Sequence, residues 1–224
     1  WFELHGRFGD LPMTDILAPA IEYARNGHPV HETIQHYWSL SIDRLGAYPG
    51  FSEQMTIDGR APEVGELWKN PNLANTLERI ANEGRDVFYK GEIAHTIADY
   101  MQANGGFLSY EDLAAHSSEW VAPLSVNYRG YDVWELPPNG QGIAALQILN
   151  IIENFDVAKM GFGSPDHVHL FLEAKKLAFE DRARFYADPE YMDISIGKLL
   201  TDDYARQRSS LIDMSSAARE FPHG

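Results

Sequence analysis

Apolar residues recur at intervals of three and four along most of this chain, and this spacing constrains the fold more than any other feature. Over residues 12–27 this spacing predicts a helix, and Gly27 followed by Pro29 predicts where the helix ends. Such a chain has to bury the apolar faces of several helices. The same spacing predicts further helices over residues 30–45, 72–84, 91–103, 143–154, 164–186 and 202–211.

Residues 120–136 have a different character. They are rich in β-branched, aromatic and aliphatic residues, and Arg129 and Gly130 interrupt them, which predicts two strands joined by a tight turn. A two-stranded hairpin is marginal in water and needs a third strand or a packed helix. The pattern therefore predicts an α+β chain with much more helix than strand. We expect the remaining strands to lie in polypeptide outside this sequence.

Two of the helix starts carry specific signals. Ser109 is followed three residues later by Asp112, a capping box that predicts a short helix. Ser164 and Pro165 have the pattern of an N-cap followed by proline in the first helical position. No internal repeat, low-complexity tract or linker divides the chain, so we expect residues 1–224 to form part of a single domain.

Charge and cysteine content exclude several classes of function. The chain has 18 Lys and Arg residues against 33 Asp and Glu residues, a formal net charge of −15 that disfavours nucleic acid as a partner. It contains no cysteine, which excludes disulfides, thiolate metal sites and a cysteine nucleophile. No apolar run approaches the roughly 18 residues of a membrane-spanning helix. The sequence begins at Trp1 rather than Met, and we expect it to be a piece of a longer polypeptide.

The residue pattern predicts neither a metal site nor a cofactor. His167 and His169 are two residues apart on a predicted helix, where they do not share a face. The chain has no G-x-S-x-G sequence and no phosphate-binding P-loop, and the Gly-Gln-Gly of residues 140–142 lacks the third glycine of a dinucleotide fingerprint. Three more histidines near a helix boundary have no second ligand cluster at metal spacing: His28, His31 and His36.

Carboxylates are frequent on the predicted helix over residues 164–186. Glu173, Glu180 and Asp181 alternate there with lysine and arginine residues. This mixture is typical of a solvated helix face or of an ion-pair network between helices, and we prefer that interpretation to a catalytic acid and base. Motifs alone therefore assign no catalytic group to this chain.

The connection over residues 136–142 is the most informative local feature. It reads Leu-Pro-Pro-Asn-Gly-Gln-Gly and joins a predicted strand to a strongly apolar helix. Prolines restrict its backbone, and glycines permit close approaches that other residues resist. Free N–H groups at the start of the following helix are able to meet an anion. The alternative is a rigid connection whose small residues serve packing.

Three segments in the same order resemble the γ-glutamyltranspeptidase family. They are residues 134–156 (WELPPNGQGIAALQILNIIENFD), residues 167–189 (HVHLFLEAKKLAFEDRARFYADP) and residues 11–30 (LPMTDILAPAIEYARNGHPV). The resemblance spans nearly the whole chain. Where typical transpeptidases have Pro-Pro-Pro-Ser-Ser-Gly-Gly, this chain has the sequence of residues 136–142, which is more similar to the cephalosporin-acylase-like branch.

The resemblance implies an N-terminal-nucleophile hydrolase with an αββα sandwich fold, of which this chain is the helix-rich later part of the large subunit. In that family a precursor cuts itself in two, and the new N-terminal threonine of the small subunit is the nucleophile, with its own amine as base. The implied partners are that small subunit and a small γ-glutamyl or other acyl-amide substrate. Family analogy suggests a periplasmic or secreted location.

Carried over residue by residue, the resemblance places no catalytic residue in this chain. The nucleophile is expected beyond Gly224, and the arginine that holds the substrate's α-carboxylate is expected before Trp1. Asn139 and Gly140 are the residues expected to approach the substrate cleft. Two alternatives remain open: a related acylase with a non-glutamyl acyl substrate, and a non-catalytic binding module of the same fold.

Overall fold

The computed structural model describes residues 1–224 and divides into two compact units, Trp1–Ser118 and Glu119–Gly224. The prediction that the chain is part of one larger domain is not tested by this division. In the first unit the elements are α1 (Phe2–Phe8), α2 (Met13–Asn26), β1 (His28–Pro29), α3 (Glu32–Leu45), α4 (Phe51–Met55), β2 (Leu67–Trp68), α5 (Pro71–Glu83), α6 (Arg85–Tyr89), α7 (Glu92–Ala103) and α8 (Tyr110–Ala115).

The first unit is built around the pairing of α2 with α5. Leu17, Ile80 and Val87 form its buried apolar cluster. The strands β1 and β2 form a two-residue antiparallel ladder in which His28 pairs with Trp68. The predicted capping box is present at α8, where the Ser109 side chain accepts a hydrogen bond from the Asp112 N–H.

The second unit contains the predicted hairpin and the long helix. Its strands run antiparallel, and Arg129 and Gly130 turn the chain with φ angles of 53° and 90°, as a tight hairpin turn requires. Ser164 caps the long helix by accepting from the His167 N–H. The elements are β3 (Leu124–Tyr128), β4 (Tyr131–Glu135), α9 (Gly142–Ile152), α10 (Val157–Met160), α11 (Pro165–Phe185), a 3₁₀ turn (Pro189–Tyr191), α12 (Ile196–Leu199) and α13 (Asp202–Ser209).

Helix α9 is the centre of the second unit. It is strongly apolar, and such a helix is stable only when it is buried on more than one face. One face packs on the hairpin, where Ile143 and Leu146 meet Val126. The opposite face packs on α11, where Ile148 and Ile151 are the main α9 contacts. The hairpin therefore has the helix partner that its short strands need.

The predicted helices lie within two residues of the observed ones. The second predicted helix begins at Glu32 rather than residue 30, because His31 is extended and its ring nitrogen accepts a hydrogen bond from the Thr33 N–H. The structure adds short helices and the β1–β2 ladder, which were not predicted. No helix has the length and apolar character needed to cross a membrane.

Candidate functional site

The candidate site is the connection between β4 and α9. Residues 136–141 form it, and Gly142 opens the helix. A Cβ at Gly142 would overlap the Glu135 carboxylate, so this glycine serves close packing. At Gly140, by contrast, a Cβ would meet no atom within 4 Å. The packing explanation therefore holds for Gly142, whereas the space in front of Gly140 is open to a ligand.

Asn139 lies at the exposed tip of the connection, next to buried Pro138. The peptide bond between these two residues is cis. The Asn139 side-chain amide makes no hydrogen bond within the chain. Its donor and acceptor are both available to a bound molecule.

The C-terminal end of α11 faces this connection across a cavity of about 420 Å³. The two predicted site residues lie on one side of the cavity, and side chains of the last turns of α11 lie on the other. The structure therefore brings Asn139 and Gly140 together beside a helix that sequence reasoning did not connect with them. The lining residues are Asn139, Gly140, Gln141, Arg182, Ala183 and Tyr186.

Arg182 supplies the charge of this cavity. Its guanidinium lies 5.2 Å from the centroid of the Phe179 ring and makes no ion pair within the chain. Burial raises the pKa of Tyr186 above its ordinary value, and the negative charge of Asp181 raises it further. Tyr186 is therefore neutral at physiological pH, and the cavity presents one cation and several neutral polar groups. Such a lining suits a ligand that carries a carboxylate.

A buried polar network lies behind Tyr186. The Tyr186 hydroxyl donates to Gln147 Oε1, and Gln147 Nε2 donates to Asp181 Oδ2 at 2.8 Å. Asp181 is fully buried and also accepts from the Tyr204 hydroxyl at 2.7 Å. Arg208 pairs with the same carboxylate at 3.3 Å. Because hydrogen bonds and an ion pair join these buried side chains, the network fixes the position of Tyr186 in the cavity wall.

The prediction for the α11 carboxylates was correct in part. Glu180 is exposed, as on a solvated face, whereas Glu173 and Asp181 are buried members of networks. A signal for Asp181 was present in the sequence, because it falls on the apolar stripe of α11 that includes Leu170 and Leu177. A carboxylate at a core position of a helix has to find partners. Arg182, Tyr186 and Gln147 had no comparable signal.

The other candidates from the sequence have local roles. His167 accepts from the Gly163 N–H at 3.2 Å, and a His169 ring nitrogen lies 2.9 Å from the Asp213 carbonyl oxygen. No group of three or more metal-ligating side chains comes together in the chain. The cavity contains no pair of a nucleophile and a base.

Comparisons with known proteins agree with the resemblance seen in the sequence. Residues 1–223 match the model of the family described as Gamma-glutamyltranspeptidase. The chain is 39% identical over 207 residues to the glutathione hydrolase-like YwrD proenzyme of Bacillus subtilis, covering 92% of this chain and 39% of the relative. It is 37% identical over 218 residues to the acylase ACY 1 proenzyme of Pseudomonas sp. strain SE83, covering 97% of this chain and 39% of the relative.

A solved structure extends the agreement to the fold. The crystal structure of cephalosporin acylase from Bacillus halodurans matches with a TM-score of 0.92 and 40% identity, covering 100% of this chain and 42% of that one. This match confirms the predicted fold class, the helix-rich part of an N-terminal-nucleophile hydrolase, and it fits the acylase-like loop sequence. The chain spans about two fifths of the length of the curated relatives it matches. The chain belongs to the gamma-glutamyltranspeptidase family.

Proposed function

We propose that this chain is the large-subunit portion of a self-processing amide hydrolase or transferase. The observation that carries the proposal is the match over residues 1–223 to the family, together with relatives that are named as proenzymes. A proenzyme is a precursor that is cut. The partner of this chain is then the small subunit from the same precursor, and the chain alone is inactive.

The proposed chemistry uses an N-terminal threonine in polypeptide that follows this chain in the precursor. Its hydroxyl attacks the amide carbonyl carbon, and its amine accepts the hydroxyl proton. The C–N bond of the substrate then breaks, the amine passes this proton to the leaving nitrogen, and an acyl-enzyme remains. Water or an acceptor amine then releases the acyl group. The role of this chain is to hold the acyl group in the cavity at Asn139 and Gly140.

The charge of the cavity supports a substrate whose acyl group carries a carboxylate. Arg182 is the cation of the lining, and Asn139 and Tyr186 add neutral polar groups. A γ-glutamyl group carries one free carboxylate, which Arg182 would share with the arginine expected before Trp1. The acylase relative and the structural match to a cephalosporin acylase favour a second candidate, an acylase acting on another carboxylate-bearing acyl amide.

Intact mass under denaturing conditions tests the proposal on the complete precursor. We expect two chains, the smaller beginning with threonine. Rates with a γ-glutamyl anilide and a glutaryl amide then separate the two candidates. A single uncut chain without turnover would contradict both and would leave the third alternative, a non-catalytic binding module.

A substitution at Asn139 tests the role of the cavity. Asn139→Ala in the complete protein removes an amide that faces open space, so we expect kcat/KM to fall about tenfold, the loss of about one hydrogen bond. Asn82→Ala, at an exposed position of α5, is the matched control and should leave kcat/KM unchanged. A fall of less than about twofold, or ~0.4 kcal/mol, would exclude a direct role for Asn139.

A further inference from the structure

The chain contains three Asn-Gly pairs, at residues 26–27, 104–105 and 139–140. An asparagine before glycine is open to spontaneous deamidation, because glycine has no side chain to keep its backbone nitrogen away from the asparagine amide. The reaction needs two groups that are free to move together: the side-chain carbonyl carbon of the asparagine and the backbone nitrogen of the glycine. The hydrogen bonds of the three pairs therefore indicate which pair is able to react.

Two of the pairs are held by hydrogen bonds. The Gly27 N–H donates to a carbonyl in the last turns of α2 at 2.9 Å. The Gly105 N–H donates to the Gln102 carbonyl at 3.2 Å. In the same pair the Asn104 side-chain amide donates to the Tyr100 carbonyl at 2.8 Å. Attack in either pair has to break these bonds first, and each broken bond slows the step about fivefold.

The third pair, Asn139 and Gly140, has no such restraint. Both residues are exposed, and they lie in the connection between β4 and α9 instead of in a helix. The Gly140 N–H and the Asn139 side-chain amide make no hydrogen bond within the chain. A Cβ at Gly140 would meet no atom within 4 Å, so the backbone of the pair has room to move. The fold therefore leaves both reacting groups free in this pair and in neither of the others.

We propose that Asn139 is a site of spontaneous deamidation that places a new carboxylate in the wall of the substrate cavity. The Gly140 nitrogen loses its proton to a base in the solvent and attacks the Asn139 side-chain carbonyl carbon. A C–N bond forms to that nitrogen, and the side-chain nitrogen takes a proton from water and leaves as ammonia. The product is a cyclic succinimide. Water then opens the ring to give aspartate or isoaspartate.

The new charge lies across the cavity from Arg182, the cation of the lining. A carboxylate at position 139 competes with the carboxylate of the acyl group for the same guanidinium and repels it. We expect the KM for a carboxylate-bearing acyl amide to rise about tenfold more than the KM for an uncharged one. This consequence rests on the proposed function, whereas the modification itself does not.

The first experiment compares the three asparagines within one sample. The complete protein is incubated at mildly alkaline pH, digested with pepsin in acid and mapped by mass spectrometry, where deamidation adds about 1 Da to a peptide. Asn26 and Asn104 are the internal controls, because each also precedes glycine. We expect Asn139 to react at least about fivefold faster than either, the effect of one hydrogen bond. In protein unfolded by urea the three rates should converge, because the hydrogen bonds are gone.

Two variants test the chemistry and its consequence. Gly140→Ala adds a Cβ into open space at a position without a positive φ, so the loop keeps its shape. The added methyl group hinders the attack and should slow deamidation at Asn139 about tenfold or more. Asn139→Asp supplies the charge directly and should show the expected change in the KM ratio without incubation. Incubated wild-type protein should change in the same direction, and Gly140→Ala should change more slowly from its own starting value.

Each outcome bears on one claim. Deamidation at Asn139 that is no faster than at Asn26 and Asn104 would overturn the proposal. A fivefold difference that persists in urea would overturn its structural basis. Modification of Asn139 without a change in the KM ratio would overturn the effect on the cavity. A protein that deamidates at Asn139 but hydrolyses no amide would overturn the proposed function and leave the modification site in place.

Discussion

Arg182 is the cation beside Asn139 in a chain whose formal net charge is −15. A positive side chain without an ion-pair partner is free to meet an anion, and a hydrogen bond to a charged group is worth about 1.5–3 kcal/mol. Arg182→Gln should therefore raise the KM for a carboxylate-bearing acyl amide about tenfold or more. An uncharged acyl amide should show little change, because it gains nothing from the charge.

The control for this variant is Arg184→Gln. Arg184 is two residues further along α11, is exposed, and lies 5.7 Å from the Phe185 ring instead of lining the cavity. Steady-state kinetics of both variants with the charged and the uncharged substrate give four ratios of KM to the wild-type value. Equal losses for both substrates in Arg182→Gln would show that Arg182 supports the structure and does not recognise the acyl carboxylate.

At the scale of the element, α11 holds a second buried carboxylate, Glu173, whose contribution to stability depends on pH. Burial raises the pKa of Glu173, but hydrogen bonds from Lys176 and the Ala218 N–H outweigh it, and the pKa lies below its ordinary value of 4.5. The positive charge of nearby His169 acts in the same direction. The stability from this carboxylate is therefore complete above pH 4.5 and is lost as the pH falls through its folded-state pKa.

Glu173→Gln tests this dependence. The melting temperature of the complete protein should exceed that of the variant at pH 6, and the difference should shrink as the pH is lowered from 4.5 towards 3. Scanning calorimetry at several pH values measures both. A difference that stays constant over this range would mean that Glu173 contributes through packing and not through its charge.

Sequence patterns were sufficient to predict the bounds of the long helices. Helices α2, α5 and α11 lie within two residues of the predicted bounds because each has several turns of apolar spacing and a stop or cap signal. Short elements have no such signal. Helices α10 and α12 have four residues each, less than the window in which a period is visible.

Contacts between residues far apart in the sequence were the second feature that sequence patterns could not predict. The ladder between β1 and β2 joins His28 to Trp68, and strands of two residues show no alternation. The candidate site was half predicted for the same reason. Asn139 and Gly140 were proposed from their loop and from a family resemblance, whereas Arg182 and Tyr186 line the same cavity only because α11 packs on α9.

At the scale of the whole molecule, the second unit leaves apolar side chains uncovered. Trp134 and Leu136 are 59% and 65% exposed, and Phe162 is fully exposed. The hairpin packs one face on α9 but leaves two strand edges unpaired, and unpaired edges are open to pairing with further strands. We therefore expect residues 1–224, produced alone, to unfold gradually on heating. The complete two-chain protein should melt cooperatively, and a sharp calorimetric transition for the isolated chain would contradict this.

The buried carboxylate of Asp181 accepts hydrogen bonds from two directions: from Gln147, which holds the cavity wall at Tyr186, and from the backbone of Gly224. Substitutions that reshape the wall will therefore also disturb the backbone at Gly224. The shape of the cavity and the stability of the second unit depend on shared side chains, so a change in one alters the other. A library that varies Tyr186 or Gln147 for altered specificity should be screened for thermal stability as well as for turnover.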